Sequence, residues 1–290
     1  MTEPRRRPPP ARISPEALAA ARAGGAQEGL TWLGRAPWAR GPLSYHLLRS
    51  VVRFVAFVVL RFRIRTDGQE HLPRAGGYFL VAAAHRGWMD PFVTMHAIPA
   101  EPRSWFLGSG PSTFTAPWRE WLLRRIGGLL PVWRGGVGIE QHVASARAVI
   151  AAGAVFVQMP EGTVSGPPGR IGAFRTGWAI IALRIDPTIV PLAMAGTEEL
   201  YVGRRLASRV LPSTTVRELA DLPASAVLPI AGSREELDLA RRISEALAAR
   251  LGPVVESLQP WTVDPPEHPR RLRKRLTWLL LRPGRLDRED

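Results

Sequence analysis

Within the stretch VAAAHRGWMDPF, Val81 to Phe92, a histidine and an aspartate stand five positions apart, His85 and Asp90. An imidazole titrates near neutrality, so it can take a proton there, and a carboxylate on its other ring nitrogen fixes the tautomer. The apolar run GYFLVAAA ahead of His85 predicts a buried strand, and Asp90 followed by Pro91 predicts a helix start. His85 would then occupy a strand-to-helix junction, where open α/β sheets bind ligands. The same residues also describe a histidine and a helix-capping aspartate in an ordinary turn.

A second stretch with chemical content is MPEGTVSG, residues 159 to 166, directly after the apolar run AVFVQM. Its glycines would let a loop approach a substrate closely. Glu161 reads either as a substrate-site residue or as a structural carboxylate bonded to backbone amides.

Both stretches need elements to hold them, and the pattern after Asp67-Gly68 supplies these. Strands are expected at 77–84, 103–107, 129–133, 154–159 and 188–194. Helices are expected at Asp90 to Ile98, Ala116 to Ile126, Ile139 to Ala152 and Ala173 to Ile185. Such alternation predicts an α/β fold: a mostly parallel central sheet flanked by helices. Ser233 reads as an N-cap with Glu236 at the third helical position, opening a helix to Leu251. The catalytic domain is expected to span 67–255.

On each side lies a segment of different character. Residues 1–42 form a basic, proline-rich tail, expected to be largely disordered, whose charged start runs into prolines rather than into the apolar core of a signal peptide. Residues 43–66, LSYHLLRSVVRFVAFVVLRFRIRT, are strongly apolar, but Arg49, Arg53 and Arg61 interrupt them before any run reaches spanning length. They predict an amphipathic helix lying in a membrane interface with its arginines toward anionic head groups. The other reading is a buried helix with snorkelling arginines. Residues 256–290 form a basic amphipathic tail, with Leu272, Leu276, Leu279 and Leu280 at helical spacing.

The 290 residues carry a formal charge of +14 and no cysteine, so neither a disulfide framework nor a thiolate metal site exists. The charge predicts a polyanionic partner. Because basic residues cluster beside apolar helices at both ends, an anionic membrane surface is expected rather than nucleic acid. No closely spaced pair of histidines suggests a metal.

Taken in order, AHRGWMD at 84–90, GGLLPVWR at 127–134, MPEGTVS at 159–165 and IVPLAM at 189–194 resemble the four motifs of the PlsC-like glycerolipid acyltransferase family, N-H-[RQ]-S-x-x-D, G-x-x-x-V-x-R, F-P-E-G-T-R-S and an apolar V-P element. The likeness runs from about Leu43 to Leu251, and Phe174, Arg175 and Gly177 stand where the family commonly has F-K-x-G. It implies a peripheral enzyme on the cytoplasmic face of the membrane that transfers a fatty acyl group from acyl-CoA or acyl-carrier protein, as co-substrate without further cofactor, to a lysolipid hydroxyl. His85 would be the general base and Asp90 its orienting carboxylate, with the acceptor alcohol in place of a triad serine. Arg134, Glu161, Gly162, Thr163 and Arg175 would shape the acceptor site. No G-x-S-x-G elbow or cysteine offers a carrier for a covalent acyl-enzyme.

The chain departs from that pattern at Ala84, Gly87 and Val164, where the family has Asn, Ser and Arg, and FLGSG at 106–110 lacks a lysine common in lysophosphatidate enzymes. A charge-assisted bond contributes roughly 1.5–3 kcal/mol, so two missing cations weaken the case for a lysophosphatidate acceptor unless Arg170 or Arg175 compensates. Two other readings follow: a lysophosphatidate acyltransferase proper, and a non-catalytic lipid-binding protein on the same scaffold.

Overall fold

The computed structural model describes residues 23–24, 40–87, 89–109, 128–132, 138–163, 169–198 and 202–263. The expected N-terminal tail, the helix at 116–126, Arg134, Val164 and the C-terminal leucine stripe fall outside these, wholly or in the main.

The centre is β2 (Tyr78–Ala83), in which every residue is buried, as a strand covered on both faces requires. Around it lie β1 (Arg63–Asp67), β3 (Ser104–Ser109), β4 (Leu129–Val132), β5 (Val155–Gln158), β6 (Ile189–Ala195) and β7 (Arg205–Val210). They form one seven-stranded sheet in the order β1-β7-β6-β2-β5-β3-β4. From β6 to β4 all neighbours are parallel, whereas β7 runs antiparallel to β6 and carries β1 parallel beside it. The mostly parallel α/β expectation holds, with a reversed pair at one edge.

Alternation along β2 divides the interior in two. Phe79, Val81 and Ala83 enter a core with Trp178, Leu247 and Leu251, under α3 (Gly138–Ala151), α4 (Gly177–Ile185), the short α5 (Val216–Leu219) and the long α6 (Arg234–Thr262). Tyr78, Leu80 and Ala82 enter the other, with Phe62, Met89 and Val93, under α2 (Asp90–Ala97) and the segment that follows α1 (Leu43–Phe54). Across the first face, Arg184 of α4 donates to both carboxylate oxygens of Glu236 at 2.7 and 2.9 Å and to Glu140 at 2.6 Å. It thereby ties α3, α4 and α6 together.

Three boundaries differ from the sequence expectation. The helix expected over 43–66 ends in a π-helical turn, Val55–Val59, and residues from Arg63 onward become edge strand β1. Apolar Ile64 between charged Arg63 and Arg65 suits an edge strand, but beside so many apolar neighbours it reads as more helix. Strand β7 was not expected, because the arginines of RLASRV mask its buried positions Leu206, Ala207, Ser208 and Val210. Helix α6 is capped as expected, with Ser233 accepting from the Glu236 N–H at 3.1 Å. It then runs past Leu251 and past the expected domain end at 255, through Pro253 and Pro260, because Val255 and Leu258 remain buried.

The basic sector of α1 is divided: Ser50 and Arg53 are exposed, and one arginine turns inward. Arg49 is buried and donates to the carbonyls of Met95 and Ile98, capping the end of α2. Tyr45 is likewise buried, with its hydroxyl 3.1 Å from that of Ser104. Outward lie Leu43, Leu47, Val51, Phe54, Val55, Val58 and Val59, all exposed.

Candidate active site

Between β2 and α2 the chain turns at the C-terminal ends of the parallel strands, and His85 sits in that turn. Its Nδ1 lies 2.6 Å from Oδ2 of Asp90, which is fully buried in the first turn of α2. The same oxygen accepts the backbone N–H of Arg86 at 2.6 Å and of Gly87 at 2.8 Å. These donors fix the orientation of the side chain. With Asp90 accepting, Nδ1 carries the ring proton and Nε2 is the basic nitrogen. The imidazole is 21% exposed, enough to meet a substrate, and Nε2 has no hydrogen-bond partner among the described residues.

Behind the histidine stands Glu161, at the end of β5. It is buried, and its Oε1 accepts the backbone N–H of His85 at 3.2 Å. Burial pushes its carboxyl above the usual range, against the opposing pull of backbone N–H groups and of His85. This contact is of the kind the structural reading of Glu161 expects, a carboxyl side chain bonded to a backbone amide.

The turn folds onto itself because Gly162 adopts φ +69° and donates to the Met159 carbonyl at 3.1 Å. A Cβ on Gly162 would lie 2.9 Å from Cδ of Arg175. Arg175 thus packs across the glycine, and its Nε donates to the Glu161 carbonyl at 3.1 Å. The arginine itself is exposed. Thr163 is half-buried at the end of the described turn. His85, Asp90, Glu161, Gly162 and Arg175 are therefore brought together by short contacts. Arg170 points elsewhere, to Glu256 at 3.7 Å.

Gly87, which departs from the family pattern, has a spatial reason here. A Cβ at that position would stand 3.3 Å from the Thr197 carbonyl, on the loop after β6. Thr197 was not singled out from the sequence. It is buried against the His85 turn, and its hydroxyl has no partner among the described residues. Only the pairing of β2 with β6, Ala83 opposite Ala193, brings it there.

The site is thus an imidazole backed by a buried carboxylate, at the strand ends of a mostly parallel α/β sheet. Residues 63–195, from β1 to the end of β6, match the family model described as Acyltransferase. Over that segment the chain is thus similar to acyltransferase domains. Its fold is similar to the crystal structure of the 1-acyl-sn-glycerophosphate (LPA) acyltransferase PlsC from Thermotoga maritima, with a TM-score of 0.54 and 17% identity over 83% of this chain and 94% of that one. No curated protein sequence matches the chain.

Proposed function

We propose that the protein is a membrane-associated O-acyltransferase that moves a fatty acyl group from an acyl thioester, acyl-CoA or acyl-carrier protein, to a hydroxyl of a lysolipid or related lipid-like alcohol. The observation that carries this reading is the 2.6 Å contact between His85 Nδ1 and Asp90 Oδ2, which leaves Nε2 to accept the proton of an attacking hydroxyl. The alcohol oxygen bonds to the thioester carbonyl carbon. The C–S bond then breaks, and the abstracted proton leaves with the thiol. Asp90 stabilises the imidazolium formed in between. No metal or prosthetic group is required by this route.

Glu161 holds the His85 backbone, and Arg175, fixed through its Nε, offers its terminal guanidinium nitrogens to an anionic group of the acceptor. Arg134 and Thr163 complete the acceptor site by their resemblance to family positions. The exposed stripe of α1 supports attachment to the membrane surface, and no helix among the described residues is long and apolar enough to cross a membrane. Product formation from labelled acyl-CoA, with a panel of phosphorylated and non-phosphorylated lysolipids in vesicles, tests the reading. Transfer to at least one acceptor is expected; transfer to none, with either donor, contradicts it.

A further inference from the structure

The register of the sheet collects three separate chain segments at the end where His85 lies. β7 runs antiparallel to β6, with Ala207 opposite Ala195, so the start of β7 stands beside the end of β6. The start of β1 is there too, with Arg63 opposite Arg205. Gly203 donates to the Leu60 carbonyl at 2.8 Å, and Arg63 donates to the Arg204 carbonyl at 2.9 Å. Buried Arg204 donates to the carbonyls of Gly196 at 2.8 Å and Thr262 at 3.0 Å, pinning the last turn of α6 to the same end.

These segments leave an uncovered surface with a definite chemistry. Val202, Trp261 and Val263 are exposed at 42%, 37% and 63%. The guanidinium of Arg205 lies 5.3 Å from the centre of the Trp261 ring, and Arg61 and Arg63 are exposed beside them. Among the described residues, two nearby carboxylates are already engaged: Glu198 with Arg204 at 3.7 Å and Glu256 with Arg170 at 3.7 Å. The patch is therefore apolar in the middle and cationic at its border. Through Leu60 it is continuous with the exposed stripe of α1.

We propose that this patch is a second contact with an anionic lipid bilayer, adjoining the exposed stripe of α1 at the catalytic end of the sheet. The occupant follows from charge and side-chain type. A tryptophan with an arginine on its face, flanked by exposed valines, suits the head-group layer, and three arginines suit anionic lipids. Contact through both surfaces would bring the sheet end that carries the His85 turn to the lipid layer, so that an acceptor reaches the base without leaving the membrane. This rests on the membrane-associated reading above.

Because the chain has no cysteine, Val263→Cys carries a polarity-sensitive fluorophore at one defined place, and Val227→Cys, exposed ahead of the opposite end of α6, serves as control. On phosphatidylglycerol vesicles the label at position 263 is expected to shift to the blue and the label at 227 to stay unchanged. V202S/W261S/V263S in the full chain is expected to bind these vesicles about tenfold more weakly while retaining turnover on a water-soluble short-chain acceptor. If the wild type binds vesicles but the label at 263 does not respond and the triple variant partitions normally, the inference fails and the membrane reading stands. Absence of vesicle binding by the wild type overturns both. A shift that follows protein concentration without vesicles assigns the patch to a second copy of the chain and overturns the inference.

Discussion

At the scale of single residues, Asp90 and Glu161 divide the work of holding one histidine. Asp90 grips the ring, and Glu161 grips the backbone N–H at 3.2 Å. That geometry separates two substitutions. Glu161→Gln keeps an oxygen to accept the His85 N–H, so activity should fall by no more than about tenfold, whereas Glu161→Ala leaves a buried donor unpaired, a loss of roughly 1–3 kcal/mol. Burial raises the Glu161 carboxyl in the folded protein above its ordinary 4.5, so its contribution is fully present below that value and lost as pH rises through the raised one. Glu161→Gln should accordingly melt at an equal or higher temperature than the wild type at pH 8, which thermal denaturation checks. Arg175→Met should raise KM about tenfold or more for acceptors with an anionic head group and leave neutral acceptors unaffected, read from the two KM values. The pairing of His85 with Asp90 was legible because the two types stand five positions apart across a strand-to-helix turn. For Glu161 the backbone-bonded reading was offered, but a sequence does not say which N–H a carboxylate faces.

Among the elements, the strands covered on both faces were the most legible, since unbroken apolar runs such as YFLVAA have few alternatives. Edge strand β1 and its neighbour β7 escaped because the arginines in each hide the apolar pattern of a strand. Helix α1 was recognised as amphipathic, but one of its arginines turns inward. Periodicity places Arg49 on one side but cannot reveal that the Met95 and Ile98 carbonyls await it there. Packing among α3, α4 and α6 depends on Arg184, which is anchored to nearly buried Glu236. Arg184→Ala should destabilise the fold by about 3 kcal/mol, because it strands that carboxylate; urea denaturation measures this.

For the whole molecule, pH acts through buried histidines as well as through net charge. His142 is buried in α3, and burial holds its imidazole down to about 4. His96 is lowered too, first by burial and then by Arg53 and Arg49. For a histidine with a depressed folded value, the stabilisation is fully present above the unfolded value of 6.5 and is lost as pH falls toward the folded one. A shift of that size corresponds to roughly 3 kcal/mol. Stability should therefore decline from about pH 6.5 to 4, and His142→Gln should flatten the decline, as urea titrations at several pH values would record.

The central claim is that His85 Nε2 takes the proton of the acceptor. Its most direct test is the single-turnover rate of acyl transfer from acyl-CoA to the best lysolipid acceptor, in wild type and in His85→Ala, with folding verified by thermal melting. The account predicts a loss of at least about a hundredfold in rate, in line with removal of a general base, with the folded structure retained. An unchanged rate in His85→Ala would contradict it.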